Sequence, residues 1–311
     1  MIQHLLFMLV FFAANGFFLY QILQIRKGIA LGRPENRSDR PAERWRNTLL
    51  IAFGQQKMFH RPFPALLHLF VYVAFLITQV ELMEIVIDGV FGTHRALRPV
   101  FGGFYTFVVS FIELLSVLAF VATLIFLARR NLLRLPRFHM DEMTGWPKLD
   151  GNIILYVEIL LIAFIFMMNG SDEVLYNRGL THAVGTEGAS GSFGFAVSSW
   201  MGPALFGGMG EGALHFVERV GWWGHILVVL AFLNYLPISK HFHILMAFPN
   251  TYFGRLEPMG KLSSSQQIQE EVKAAFDPAY VPAEDPNAPK RFGARDVTDL
   301  SWKNLMDAYT C

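Results

Sequence analysis

The chain has 311 residues, of which 53% are hydrophobic and 16% are charged, and its formal net charge is +1. This balance gives no sign of a nucleic-acid partner, and the apolar composition is typical of a protein embedded in lipid. The one cysteine, Cys311, is the last residue, so no internal disulfide can form. An apolar run of about 18 residues or more indicates a transmembrane helix.

Five apolar segments in the sequence are long enough to cross the hydrocarbon core of a membrane. We therefore expect an all-α fold, a polytopic bundle of five transmembrane helices in a prokaryotic inner membrane. A sixth stretch, residues 192–209, is rich in Gly and Ser and holds Pro203, which favours a re-entrant or surface segment. The five predicted spans are Leu5–Leu23, Pro64–Phe91, Pro99–Ala128, Asn152–Asn169 and Val220–Ser239.

The distribution of Lys and Arg predicts the orientation of the bundle. Arg26–Arg61 carries nine basic residues, Gly92–Arg98 two, Arg129–Lys148 five and Gly170–Arg219 two, and the chain from Lys240 onward carries eight. Basic connections face the cytoplasm in membrane proteins. We therefore expect the N-terminus outside and the C-terminus in the cytoplasm.

The parts of the chain outside the spans predict three regions. Residues 1–255 form the membrane domain, and an interfacial helix is expected at Arg44–Phe59 because basic and apolar residues mix there. Residues 256–295 hold a second interfacial helix, Ser263–Phe276, and a proline-rich linker, Asp277–Lys290. Residues 296–311 are expected to be the start of a soluble module in a longer protein.

Four of the ten histidines lie where helices meet the membrane edges. On a continuous helix His225 and His243 are five whole turns apart, about 27 Å, so they share one face near opposite edges. His68 lies about one turn inside span two, at the depth expected for His243. Two imidazoles at one depth predict the axial ligands of a b-type haem. The alternative is that edge histidines face the lipid headgroups.

His225 and His241 have less defined roles. No histidine of span two faces the level of His225, because the residue ten positions after His68 is Thr78. The sequence thus predicts one haem b, leaves a second open, and assigns His225 to haem or to a quinone. His241 is assigned to a haem propionate, a headgroup or a partner chain.

Carboxylates inside the predicted spans suggest proton chemistry. Ionisable side chains are costly in a bilayer and are usually functional. Glu81 and Glu84 lie in span two and Glu113 lies in span three. With His225 they could accept the protons of a quinol, or they could instead hydrogen-bond to neighbouring helices or reach the outer interface.

The segment His225–Phe253, HILVVLAFLNYLPISKHFHILMAFPNTYF, resembles the last span of the respiratory nitrate reductase gamma-subunit family of b-type cytochromes. That family has two haem-ligating histidines 18 residues apart, which His225 and His243 match. Its early ligand in the second span is matched by His68, and its second ligand on that helix is Thr78 here. The resemblance covers roughly residues 1–255.

The last residues, ending SWKNLMDAYTC, resemble the start of a ferredoxin-like module in membrane-bound iron–sulfur oxidoreductases related to heterodisulfide reductase. The resemblance implies that Cys311 is the first thiolate of a [4Fe–4S] cluster, whereas the alternative is a lone cytosolic thiol. It also implies a cytoplasmic iron–sulfur or flavoprotein partner, such as electron-transfer flavoprotein, and a quinone in the membrane.

These features predict a membrane subunit that passes electrons between cytoplasmic iron–sulfur centres and the quinone pool through haem b. A non-redox membrane anchor for a soluble complex is the alternative. A proton-coupled transporter is disfavoured, since the sequence shows no internal repeat.

Overall fold

The structure, a computed structural model, describes residues 2–133, 135–181, 191–258, 260–261, 266–281 and 294–310. The described residues form eleven α-helices joined by short 3-10 turns and loops, with no β-strand beyond an isolated bridge between Arg33 and Ser301. The helices are α1 (Ile2–Ile29), α2 (Pro41–Asn47), α3 (Pro62–Phe91), α4 (Arg98–Phe101), α5 (Gly103–Asn131), α6 (Trp146–Asn177), α7 (Ser198–Phe206), α8 (Glu211–Tyr235), α9 (His243–Tyr252), α10 (Gln266–Phe276) and α11 (Trp302–Thr310).

Five of these helices, α1, α3, α5, α6 and α8, are long and apolar enough to cross a membrane. They contain the five predicted apolar segments or most of each, so the described residues confirm the all-α class and five helices of spanning length and apolarity. Helix α7 has only nine residues, about 13 Å at 1.5 Å per residue, which is too short for a sixth span. The orientation of the termini stays a prediction.

The chain divides into two compact units, of which the first comprises residues 1–23 and 57–242. In this unit α6 packs along α8, and α3 packs along α5. Apolar side chains from α1, α3, α6 and α8 form a core cluster at one end of the bundle, and burying such a side chain contributes roughly 1.5–3 kcal/mol. The cluster comprises Phe7, Ile85, Ile165, Met168, Trp222, Ile226 and Leu230.

Two glycines let helices of the first unit approach closely. A Cβ on Gly221 of α8 would lie 2.6 Å from the backbone nitrogen of Met168 on α6. A Cβ on Gly89 of α3 would lie 2.5 Å from the ring of Phe7 on α1. Small residues of this kind allow helix backbones to pack directly in membrane bundles.

Helix α6 is longer than the predicted fourth span. The apolar segment ends at Asn169, but the helix continues through the polar sequence that follows, to Asn177. Asn169, Ser171, Asp172 and Glu173 are all fully or almost fully buried. The apolar part of the sequence ends at Asn169. The helix continues beyond it because other protein groups satisfy the polar side chains that follow.

The last predicted span is not one continuous helix, contrary to the expectation from the sequence. Helix α8 ends at Tyr235, two 3-10 turns follow over residues 236–238 and 240–242, and a new helix begins at His243. Pro237 lacks a backbone N–H and its ring clashes with the carbonyl four residues earlier, so the helix stops. The expectation that His225 and His243 share one face of a continuous helix is therefore wrong.

The second unit comprises residues 24–56 and 243–311. Within it α11 packs on α9, and the Trp302 indole donates to the carbonyl of Glu35 at 2.8 Å. The buried Arg44 guanidinium donates to the carbonyls of Tyr252 and Gly254, both at 3.0 Å. Side-chain bonds to backbone carbonyls thus hold α2 against the end of α9.

The predicted interfacial and linker segments are only partly described. Arg44–Phe59 holds the end of α2, a widened helical turn over Thr48–Phe53 and most of a 3-10 turn at Gln56–His60. The second predicted helix matches α10 from Gln266, whereas residues 262–265, most of the linker (282–290) and Cys311 lie outside the described residues.

Gly221→Ala should destabilise the first unit by about 1–3 kcal/mol, because its methyl group would overlap the backbone of α6. Thermal unfolding of the purified protein in detergent measures this change. The matched control is Gly212→Ala on the same helix, where a Cβ meets nothing within 4 Å. That variant should keep or slightly raise the stability, and an equal loss in both variants would contradict the close approach.

Candidate functional site

A guanidinium lies buried in the bundle, in the loop after α3. The Arg95 side chain is 4% exposed, although the sequence places it between two helices rather than within one. Its nitrogens donate to three side chains, Asp172 at 2.9 Å, Asn169 at 2.7 Å and the Tyr105 hydroxyl at 3.2 Å. The rings of Phe193 and Phe195 lie 5.5 and 5.3 Å from its central carbon, which adds cation–π attraction.

Carboxyl groups from three helices surround this guanidinium. On α3 the residues 81, 84 and 88 recur at helical spacing, so one stripe of the helix points acidic groups into the bundle. We name the assembly the Arg95 cluster, which comprises Glu81, Glu84, Asp88, Arg95, Tyr105, Glu113, Asn169 and Asp172. All eight side chains are buried.

Two of the α3 carboxyl groups hold the loop that carries Arg95. Glu84 accepts from the backbone nitrogen of Leu97 at 2.9 Å and from the Tyr105 hydroxyl at 2.6 Å. Asp88 accepts from the backbone nitrogens of Arg95 at 2.9 Å and Ala96 at 3.1 Å. The backbone N–H groups of Arg95, Ala96 and Leu97, in the loop after α3, are therefore hydrogen-bonded inside the protein.

Glu113 on α5 accepts hydrogen bonds from the beginning of α7. Its Oε2 atom accepts from the backbone nitrogens of Val197 at 2.7 Å and Ser198 at 3.0 Å. These are N–H groups that a helix leaves unpaired at its N-terminus, where a negative charge is also favourable. Glu113 thus fixes the start of α7 against α5.

Glu81 differs from these carboxyl groups because only one of its oxygens is engaged. Oε1 accepts from the Asn169 amide at 3.0 Å and lies 4.0 Å from Arg95. Oε2 is buried and has no hydrogen-bond partner among the described residues. The cluster holds five carboxyl groups and one guanidinium, so its buried carboxyl groups outnumber their buried counter-charge.

His94 pairs with Asp172 of the Arg95 cluster and is itself only partly buried. Its Nε2 atom lies 3.0 Å from Oδ1 of Asp172, and its side chain is 26% exposed. Burial lowers the pKa of His94, but the neighbouring Asp172 carboxylate more than offsets this, so the pKa is raised above its ordinary value.

A cavity of about 290 Å³ adjoins His94. It lies between the first turns of α1, the end of α3 and the first half of α8, and its lining includes His4, Asp88, Arg219 and Trp223. A narrower void of about 10 Å³, roughly the space of one water, lies between His94, Asp88 and Glu218. Both spaces share Asp88, His94 and Trp222.

The predicted haem residues lie in different units. His68 is on α3 and His225 on α8, both in the first unit, whereas His243 begins α9 in the second unit. The His68–His243 pairing therefore stays a prediction. The ring of His241 lies 5.5 Å from the ring of Phe232.

The chemistry of His225 fits an axial ligand. The ring is buried, and its Nδ1 atom lies 3.3 Å from the carbonyl oxygen of Leu161 on α6. Because a carbonyl only accepts, Nδ1 carries the hydrogen and Nε2 is the atom with the lone pair. Metal-binding histidines commonly fix their tautomer in this way.

The structure brings together the three glutamates that the sequence singled out, but around Arg95 rather than around His225. The sequence analysis missed Arg95, His94, Asn169 and Asp172. The detectable signals were the His94–Arg95 pair directly after an acidic span and the polar run that follows the apolar part of α6. No group of three metal-binding side chains occurs among the described residues.

Comparison with known proteins places this membrane bundle near iron–sulfur oxidoreductases. The chain is 25% identical over 308 residues to the probable iron-sulfur-binding oxidoreductase FadF of Bacillus subtilis, covering 99% of this chain and 38% of that protein. It is 23% identical over 279 residues to the EtfAB:quinone oxidoreductase of Syntrophomonas wolfei subsp. wolfei, covering 89% and 34%. The chain thus spans little more than a third of the length of these relatives.

No known family profile matches the chain, and no solved structure matches it. The two relatives support the predicted kinship with iron–sulfur oxidoreductases. The protein is thus an all-helical, multi-pass membrane protein distantly related to that class, while its resemblance to b-type cytochromes stays a prediction.

Arg95→Gln should lower the free energy of unfolding by about 3–5 kcal/mol, since it leaves buried carboxylates without their cation. The loss should shrink at acidic pH, where carboxyl groups need no counter-charge. Detergent unfolding curves between pH 5 and 8 measure both effects. Arg46→Gln, on the exposed face of α2, is the control, and an equal midpoint for the two variants would contradict the role of Arg95.

His94 should stabilise the protein in a pH-dependent way. Its pKa is raised in the folded state, so the stabilisation is fully present below about pH 6.5 and is lost as pH rises through the raised value. The stability difference between the wild type and His94→Gln should fall across that range. The groups that face His94 or share its two cavities are His4, Glu84, Asp88, Arg95, Asp172, Glu218 and Arg219.

The matched control for this titration is His139→Gln, which changes an exposed histidine in the loop between α5 and α6. The variation with pH should be larger for His94→Gln than for this control. A difference for His94→Gln that grows as pH rises would show that the sign is wrong.

Proposed function

We propose that this chain is the membrane part of an oxidoreductase that passes electrons between cytoplasmic iron–sulfur centres and the quinone pool through b-type haem. The observation that carries the proposal is the Arg95 cluster beside a cavity. Five carboxyl groups and one guanidinium are buried inside a membrane bundle, and one of these carboxyl groups pairs with the half-buried His94 at the edge of a space of about 290 Å³. Buried ionisable groups in membrane helices mark proton or substrate pathways.

The proton stoichiometry of quinones explains why such a cluster would be useful. A quinol releases two protons for every two electrons, so its oxidation requires groups that accept protons. Glu81 is the best placed glutamate for that role, because Oε2 has no hydrogen-bond partner among the described residues. Glu84 and Glu113 also hold backbone N–H groups, so their first function is to position the loop and α7.

The proposed electron carriers rest on the predicted ligands. His68 and His243 would hold one haem b, and His225, through Nε2, would hold a second haem or serve the quinone. Bound haem supplies a centre that accepts and donates single electrons. His241 would contact a propionate, and Cys311 would begin a [4Fe–4S] site whose donor or acceptor is a cytoplasmic iron–sulfur or flavoprotein partner.

The names of the two relatives support this proposal. One is described as iron-sulfur-binding and the other as a quinone oxidoreductase. A prokaryotic cytoplasmic membrane, with the C-terminus inside, would place the iron–sulfur centres next to soluble electron carriers.

A pyridine haemochrome spectrum tests the proposal. We expect a b-type spectrum from the purified full chain and a lower haem content in His243→Ala and in His68→Ala, because each change removes an axial nitrogen. His139→Ala, which changes the exposed loop histidine, is the matched control and should keep the wild-type content.

Two outcomes would contradict the proposal at different levels. A wild-type protein that folds but shows no b-type absorbance would favour the non-redox anchor. A normal haem content in both His68→Ala and His243→Ala would reject the ligand assignment alone.

A further inference from the structure

We propose that the cavity between α1, α3 and α8 binds the headgroup of a membrane quinone, and that the Nδ1 atom of His94 forms its principal hydrogen bond. This inference rests on the proposed function, since it assigns the quinone to a place in the structure. It differs from the sequence-based expectation, which placed the quinone near His225 and the three glutamates.

The cavity has the size and lining of a small-ligand site. Its volume of about 290 Å³ is close to the lower limit of about 300 Å³ for ligand pockets. Such pockets combine apolar or aromatic walls with a few polar groups. Here Phe7, Trp222 and Trp223 supply the aromatic walls, and the remaining lining is largely polar, with Gln3, His4, Asp88, Thr93, His94 and Arg219.

The hydrogen bond of His94 to Asp172 determines which nitrogen is available. Because Nε2 bonds Asp172 at 3.0 Å, a neutral His94 carries its hydrogen on Nε2 and presents the lone pair of Nδ1. No described residue occupies Nδ1, and the His94 side chain lines the cavity. A histidine held in this way by a carboxylate accepts a proton readily. Nδ1 can therefore accept from a quinol hydroxyl or, when protonated, donate to a quinone carbonyl.

The aromatic wall suits a flat ring. The rings of Trp222 and Trp223 lie 5.1 Å apart at 78°, so they form a corner rather than a stack. The Arg219 guanidinium lies over the Trp222 ring at 5.4 Å, which fixes a donor group at the same wall. A planar ring can pack against one of these indole faces.

The position of the cavity also suits a quinone with an apolar tail. Its α1 wall belongs to the least buried of the five candidate spans. Leu5 and Leu9, on α1 close to the cavity residues His4 and Phe7, are 57% and 68% exposed. A tail that leaves the cavity beside α1 would therefore enter lipid directly.

The narrow void links this cavity to the Arg95 cluster. It is lined by Glu84, Asp88, His94, Arg95 and Glu218, and it is about large enough for one water with polar partners on several sides. A proton taken by His94 would thus have carboxyl groups within one water of its ring. This connection gives the excess carboxyl groups of the cluster a role at the quinone site.

Binding of 2-heptyl-4-hydroxyquinoline N-oxide, a fluorescent quinol analogue, to the purified full chain tests the site. Quenching of its fluorescence should give a saturable one-to-one titration with the wild type. His94→Gln should raise Kd about tenfold or more, since it removes a hydrogen bond of about 1.5 kcal/mol. Gln retains an amide that can donate to Asp172, which limits damage to the cluster.

His4→Ala is a second variant, and it should raise Kd without touching the Arg95 cluster, because His4 lies at the cavity on the first turn of α1. His139→Gln is the control and should bind like the wild type. Unchanged binding in both His94→Gln and His4→Ala would overturn this site.

The haemochrome spectrum separates failure of the site from failure of the proposed function. A wild-type protein with b-type absorbance that does not bind the analogue would overturn the quinone site alone. A protein with neither property would overturn the proposed function as well.

Discussion

The arrangement of the first unit depends on a single buried cation. Arg95 is contributed by a loop, yet its guanidinium contacts side chains from α5 and α6 and lies near the acidic stripe of α3. Around it the carboxyl groups divide into two kinds. Glu84, Asp88 and Glu113 bind backbone N–H groups and so shape the chain, whereas Glu81 and Asp172 face the guanidinium and the amide or imidazole beside it. The same set of buried carboxyl groups thus holds the backbone in place and surrounds the guanidinium. Neither role can be recognised from one residue alone, because each depends on its partners.

The sequence predicts the number and approximate position of the spans well. Lipid imposes an unbroken run of apolar residues on every spanning helix, and that requirement is local in sequence. The sequence also singles out Glu81, Glu84 and Glu113 as candidates for a site inside the bundle, because charged groups facing lipid are costly. The exclusion of a sixth span has the same origin, since Gly, Ser and Pro interrupt the apolar run in and around α7.

The rest could not be predicted because it depends on tertiary partners. Asp172 looks like the start of a loop until Arg95 is seen beside it, and Arg95 looks like an ordinary loop base until the carboxyl groups are seen around it. The expected continuation of α8 to His243 was wrong for a different reason. Pro237 was visible in the sequence, but the five-turn spacing of His225 and His243 was interpreted on a helix that continues through it. The expectation that His225 and His243 share one helix face assumed a continuous helix. Their assignment as haem ligands therefore depends on ligand chemistry and on the haem measurement.

The position of Arg95 has a consequence for how the protein enters the membrane. Helix α3 carries three carboxyl groups, and each charged residue at the centre of an isolated span opposes insertion by about 2.5–3.5 kcal/mol. Their counter-charge lies only four residues beyond the end of α3, ahead of α5. The helical hairpin of α3 and α5 thus brings its own neutralising group into the bilayer. During synthesis the acidic helix lacks this counter-charge until the loop behind it has been made, so we expect α3 to insert more readily together with the loop and α5 than alone.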